Sequence, residues 1–184
     1  MNPFSTKYWA PGAIPFRFAE ASESCERLVA AFELHGGGQI VGPHGSGKST
    51  LIESLKKVFQ QSGYDVRHAI LNDRNRRLPD RFTEKTLKEP TVRIVDGFEQ
   101  LPLWDRLQLR FRFPGRFLIV THRPVARLSI LYQTAPDFEV FTELVRQLEN
   151  KAPDVEELHR LFKTTGGNFR DAFMTLYDWR SPMS

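Results

Sequence analysis

Cysteine is almost missing: the 184-residue chain holds one, Cys25. A single thiol excludes an internal disulfide framework and matches a reducing compartment. Placed in a helical pattern, Cys25 reads as a small buried apolar group rather than a catalytic thiol. Long apolar runs are missing too. Mean hydropathy is −0.41, and no stretch approaches the about 20 apolar residues that a membrane-spanning helix needs. The opening Met1-Asn2-Pro3-Phe4-Ser5-Thr6-Lys7 has no basic segment leading into an apolar one, so no secretory leader is read there and a cytoplasmic location is expected. No internal repeat and no low-complexity segment interrupts the chain. Neither sign of charge dominates: the net charge is +4 and the pI about 9.4. That balance suits a protein that handles polyphosphate and leaves nucleic acid open as a partner. A hydrophobic share of 40% can fill a core, which excludes global disorder.

What is present is a regular alternation of elements. Residues 1–19, rich in proline and aromatics, read as an extended arm. From Glu20 to His35 the apolar residues Cys25, Leu28, Val29 and Phe32 follow one helix face, and Gly36-Gly37-Gly38 stops it. Gln39-Ile40-Val41 is a short strand, followed by a helix carrying Leu51, Ile52, Leu55, Val58 and Phe59. Further strands are predicted at Tyr64–Leu71, Thr91–Val95 and Arg116–Thr121, with a fifth at residues 138–141. Pro102 opens a helix holding Leu103, Trp104 and Leu107, and Pro114-Gly115 makes a turn. From Thr142 the pattern is wholly helical. Asp154 and Glu157 have capping-box spacing, and a last helix follows Gly166-Gly167-Asn168. The expected fold is α/β: an arm at 1–19, a parallel sheet covered by helices on both faces at 20–141, and a small helical lid at 142–184.

The chemistry concentrates in Gly42-Pro43-His44-Gly45-Ser46-Gly47-Lys48-Ser49-Thr50, which matches G-x-x-x-x-G-K-[ST]. Glycines let the backbone adopt positive φ and turn its N–H groups inward around phosphate oxygens. The N-terminus of the next helix adds its positive dipole end. Lys48 would reach the β- and γ-phosphates, Ser49 would ligate Mg²⁺, and Thr50 could bond an α-phosphate oxygen. A strand before the run and an amphipathic helix after it supply the context the motif requires. A purine nucleoside triphosphate, ATP or GTP, with Mg²⁺ is therefore the expected ligand.

Val92-Arg93-Ile94-Val95-Asp96 is an apolar strand ending in a carboxylate. Such a carboxylate, on a strand beside the first, holds Mg²⁺ directly or through water. Hydrolysis also needs a base or a group that orients water. The position after Asp96 is Gly97, which has no side chain for the task, and Glu99 is the nearest candidate.

With Asp96-Gly97-Phe98-Glu99-Gln100-Leu101 and Thr165-Gly166-Gly167-Asn168-Phe169-Arg170 in view, the sequence resembles the AAA+ and related STAND-type ATPases over roughly residues 14–178. The resemblance implies a polar sensor at the end of the next strand, where Thr121 stands, with His122 the close alternative. It implies that Arg170, early in a lid helix, reaches the γ-phosphate. It also implies that the arm around Ile14 and Phe16 packs near the base, and that copies of the chain assemble. Arg123 and Arg127 are the candidates for an arginine finger. The departure from the family is Gly97, where it usually carries Glu.

Arg74-Asn75-Arg76-Arg77 and Arg81 form a basic stretch that reads either as a solvated loop or as a contact for nucleic-acid phosphates. A DNA or protein partner is accordingly left open, whereas a membrane is not expected. Two other functions share these residues. Asn72-Asp73-Arg74 could carry the acceptor-activating carboxylate of a small-molecule kinase, with Arg123 and Arg127 on its lid. Gly97 fits a nucleotide-gated binding module that does not hydrolyse.

Overall fold

The computed structural model describes residues 2–83, 90–112, 116–149 and 153–181. The turn predicted at Pro114-Gly115 lies outside the described residues. In chain order the elements are α1 (Thr6–Trp9), α2 (Cys25–His35), β1 (Gly38–Val41), α3 (Lys48–Gln61), β2 (Asp65–Ile70), α4 (Asp80–Thr83), β3 (Thr91–Asp96), a 3-10 turn (Phe98–Gln100), α5 (Leu103–Arg112), β4 (Arg116–Thr121), β5 (Ile130–Gln133), α6 (Phe138–Leu148), α7 (Val155–Thr164) and α8 (Phe169–Arg180). The chain forms two compact units, each discontinuous in sequence: Ser24–Gly42 with Leu55–Gln133, and Met1–Glu23 with Pro43–Ser54 and Thr134–Ser184.

The first unit holds the sheet, five parallel strands in the order β2-β3-β4-β1-β5. The α/β class with helices flanking a parallel sheet is as expected. Strands β3 and β4 lie inside the sheet, and their run of buried residues (Val92, Ile94, Val95, Leu118, Ile119, Val120) is unbroken, as it must be where both faces are covered. Two expectations are corrected. The strand that ends in Asp96 does not lie beside β1, because β4 runs between them. Residues 138–141 are the first turn of α6 rather than a strand; the fifth strand is Ile130–Gln133. Period-2 and helical readings of a four-residue apolar run are hard to tell apart, and here Asp137 decides, its side chain accepting from the Val140 amide at 2.9 Å as an N-cap.

Local chemistry explains the remaining boundaries. Helix α2 begins at Cys25, later than predicted, because the Ser24 hydroxyl caps it by accepting from the Arg27 amide. Gly36 ends it at φ 68°, the left-handed conformation glycine takes without strain. Gln39, a polar residue in the middle of β1, is almost wholly buried. Its amide group donates to the carbonyls of Val125 and Leu128 and accepts from the Val125 amide, so β1 holds the loop that leads into β5. On α5, Leu109 joins a core of Ala69, Leu71, Phe82, Val95, Phe98, Leu101 and Ile119. Leu103, Trp104 and Leu107 of the same helix face solvent, with Trp104 69% exposed.

The second unit has its own core, made of Phe4, Phe141, Val145, Leu158, Leu161, Ala172, Phe173 and Leu176. The arm is not wholly extended: it contains the single turn α1, and Phe4 is fully buried among the helices. Arg17 ties the arm to α6 through Glu143 at 3.0 Å and Gln147 at 3.1 Å. The capping box predicted at Asp154 is corrected, since the Asp154 side chain makes no cap hydrogen bond. Glu156 and Glu157 in the first turn of α7 complement the helix dipole instead. Phe141 lies within 5.7 Å of the rings of Phe162, Phe169 and Phe173. Truncating Phe141 to alanine should therefore cost about 3–5 kcal/mol by leaving a cavity. Urea unfolding of the Phe141→Ala variant checks this, and a loss below about 1 kcal/mol would mean that the cluster is not a core.

Candidate nucleotide-binding site

The glycine run from Pro43 onward belongs to the helical unit. Gly45 and Gly47 adopt φ values of 70° and 87°, which turn the chain back on itself. The loop is closed from inside: the Lys48 ammonium donates to the Pro43 carbonyl at 2.6 Å, and the Ser46 hydroxyl donates to the same oxygen at 2.8 Å. Lys48 is 8% exposed. Its ammonium is thus buried against a backbone carbonyl at the inner side of the loop. Helix α3 starts at Lys48, so its N-terminal dipole end opens on the same loop. Ser49 and Thr50 follow in its first turn.

Residues far along the chain press on this loop. Phe169 donates its amide to the Gly45 carbonyl at 3.2 Å. Asn168 caps α8 by accepting from the Arg170 and Asp171 amides. A Cβ at position 45 would lie 1.7 Å from the Asn168 Oδ1, so only glycine fits. Ser46 and Thr134, both buried, share a hydroxyl hydrogen bond of 2.6 Å. Behind the loop, a Cβ at Gly47 would touch the Phe16 ring at 3.0 Å, and the Phe16 amide donates to the Ser54 hydroxyl. The start of α8 thus sits on the loop, and Arg170, one residue beyond Phe169, is exposed beside it. The sequence marked Asn168 only as a helix start and gave no signal for Thr134.

In the sheet unit the C-terminal strand ends line up. Val41 pairs with Thr121, Val120 with Asp96, and Asp96 with Ile70. Gly42 donates its amide to the Thr121 carbonyl at 3.2 Å. The His122 Nδ1 contacts the Gly42 carbonyl at 3.1 Å, and its Nε2 contacts Glu99 Oε1 at 3.1 Å. A carbonyl can only accept, so a hydrogen bond at Gly42 requires the tautomer with its proton on Nδ1. The other carboxylate oxygen of Glu99, Oε2, is buried with no hydrogen-bond partner among the described residues. The Thr121 hydroxyl donates to the Arg123 carbonyl at 3.1 Å, a local turn bond that a sensor role would have to replace. Arg123 and Arg127 are exposed on the loop held by Gln39, and Arg127 is the only described non-glycine residue at positive φ, 65°. Asp73 is 83% exposed and paired with Arg76 at 3.3 Å, at the surface rather than presented to an acceptor.

Gly97 has a structural cause. Its φ is 78°, and a Cβ there would lie 2.4 Å from the Leu71 carbonyl oxygen. The turn that brings Asp96 to the sheet edge therefore excludes any side chain at the position where the family usually has Glu.

The loop has features that suit a phosphate ligand: two glycines at positive φ, one buried ammonium and a helix N-terminus. Among the described residues no cluster of three or more His, Cys, Asp or Glu could hold a metal ion alone.

The chain is an α/β protein with a five-stranded parallel sheet flanked by helices, and its glycine run matches the P-loop pattern. Among solved structures, the chain is similar to the Aeropyrum pernix ORC1 protein, determined in complex with DNA, with a TM-score of 0.59 and 13% sequence identity. The match covers 93% of this chain and 62% of that one, so the chain spans under two thirds of its length. This likeness shows a shared fold. No family model matches the chain. No curated protein matches it. Among the described residues no helix is long and apolar enough to cross a membrane.

Two outcomes follow. Gly97→Glu, which restores the family residue on paper, should lower the melting temperature and raise no activity; a stable, faster variant would show that the backbone has room. Cys25 is half-buried, and burial with the nearby Glu26 pushes its thiol up to about 11. Its alkylation by iodoacetamide should be slow at pH 7 and rise steeply only as pH approaches that value, because the thiolate is the reactive form. Rapid labelling at pH 7 would contradict the placement.

Proposed function

We propose that this chain binds ATP with Mg²⁺ on residues 42–50 and works as an AAA+-like ATPase or ATP-driven switch with nucleic acid as its partner. The observation that carries the reading is the hydrogen bond from Phe169 to Gly45: a phosphate-binding loop is joined directly to the helix that bears Arg170. Phosphate entering the loop would draw the Lys48 ammonium away from the Pro43 carbonyl. The loop carbonyls would adjust, and α8 would feel the change through Gly45 and Ser46. Arg170 would close on the terminal phosphate. When bound, Mg²⁺ would neutralise charge on the phosphates, with Ser49 and Asp96 in the roles the sequence assigns them.

Glu99 is the carboxylate we assign to the attacking water, because position 97 cannot carry one. Its engagement with His122 supports a defined orientation. Thr121 is assigned as the polar sensor. The nucleic-acid partner is supported by the basic balance of the chain and by the fold shared with a protein solved on DNA. Self-assembly, with Arg123 or Arg127 reaching a neighbouring copy, belongs to the same proposal. A second reading, a nucleotide-gated module without turnover, is favoured by Gly97 alone.

Lys48→Ala should abolish binding of a fluorescent ATP analogue, whereas Arg170→Ala should bind within a few-fold of wild type and lose turnover. Equal loss of affinity in both variants would remove Arg170 from the sensor role. Turnover measured with and without duplex DNA at two salt concentrations, alongside the particle size with ATP present, tests the rest. Stimulation by DNA supports the proposed partner, and binding without any turnover supports the second reading.

A further inference from the structure

Between Leu71 and Leu78, both packed on the core of the sheet unit, six consecutive residues, 72–77, are all exposed. They do not form a slack loop. Asn72 and Asn75 exchange both backbone hydrogen bonds, at 2.9 and 3.0 Å. The Asn72 side chain accepts from the amides of Arg74 and Asn75, each at 3.0 Å. On the far side, α4 is fixed by the buried ring of Phe82, whose carbonyl accepts from Arg93 at 3.2 Å. The turn is thus tied down at its stem and across its neck by asparagines and main chain, with no arginine used to close it.

Three arginines in this turn face one aspartate. Asp73 pairs with Arg76 at 3.3 Å across exposed surface, a contact of little energetic consequence. The side chains of Arg74 and Arg77 make no hydrogen bond or ion pair among the described residues. Like charges held on a hydrogen-bonded turn, with no partner for the Arg74 and Arg77 side chains among the described residues, give little to stability. They do reduce the ordering required when an anionic surface arrives. Guanidinium groups suit phosphate because their planar N–H donors meet its oxygens in pairs.

We infer that the turn at residues 72–77 is a contact for the phosphate backbone of duplex DNA, made through Arg74 and Arg77 and assisted by Arg76. This rests on the nucleic-acid partner proposed above. The turn contains no aromatic residue on which an unpaired base could stack, so the contact reads backbone charge rather than sequence. It also contains no apolar residue to enter a lipid surface, which separates it from membrane-binding basic segments.

The test is an anisotropy titration of a fluorescein-labelled, mixed-sequence duplex with the full chain, between about 50 and 200 mM salt. Each phosphate contact contributes about 0.9 to the slope of log affinity against log salt. The Arg74→Ala/Arg77→Ala double variant should therefore lose about 2 from that slope. Its melting temperature should equal that of the wild type. Asp73→Asn should tighten binding by releasing Arg76, and Arg160→Ala, on α7, should change nothing. Wild-type binding with an unchanged slope in the double variant would overturn the turn's role while leaving the nucleic-acid reading intact. No binding of the wild type at the lowest salt would sink both. A melting temperature that falls with affinity would make these arginines structural. Preferential capture by phosphatidylserine vesicles in competition with the duplex would assign the turn to a lipid surface instead.

Discussion

The glycine-run loop rests on one acceptor, the Pro43 carbonyl, which holds the Lys48 ammonium and the Ser46 hydroxyl at once. The two donors keep a loop with two left-handed glycines from opening, and they keep the ammonium buried where an anion would need it. The same hydroxyl contacts Thr134, and the neighbouring carbonyl of Gly45 takes the first amide of α8. The elements that surround this loop within the helical unit are therefore referenced to a few main-chain atoms between residues 43 and 48. A charge that competes for Lys48 disturbs all of them together.

Much of this was legible in the sequence where a local rule dominates. The glycine run, the strand ending in Asp96 and the helix starting after Asn168 are each set by near neighbours, and each lies where its residues indicate. The misreadings have a common cause. Residues 138–141 present apolar character without a period long enough to decide, and a cap one residue earlier settles them as helix. The place of β3 in the sheet is a matter of which strand inserts beside which, and no short segment encodes that. Asp154 has capping-box spacing, yet its side chain makes no cap bond, so spacing alone did not suffice. The candidate site divides the same way: its phosphate loop is written in one contiguous motif. Thr134, the Asn168 contact and the His122 bridge join positions that only the fold brings together.

Gly97 shows how an apparent deficiency in a motif can be a geometric requirement. Read as sequence, it is a missing carboxylate. In the structure it is the price of bringing Leu71 and the end of β3 into main-chain contact, with the Leu71 amide donating to the Asp96 carbonyl at 2.8 Å. The carboxylate nearest in sequence, Glu99, is held by His122 instead, and His122 also touches the first residue of the phosphate loop. The sheet edge thus joins a strand end, an imidazole and a loop entry through two contacts of 3.1 Å.

The closeness of Asn168 to Gly45 has a consequence for how such sequences can vary. The two residues stand 123 positions apart and occupy one shared volume, so a side chain gained at either is space lost at the other. A methyl group at position 45 would be strained even beside a smaller residue at 168, because φ there is 70° and the Asn168 Cα would lie 3.1 Å from it. Across relatives, position 45 should therefore stay glycine, while 168 varies only among residues that can cap α8 without reaching further into the loop.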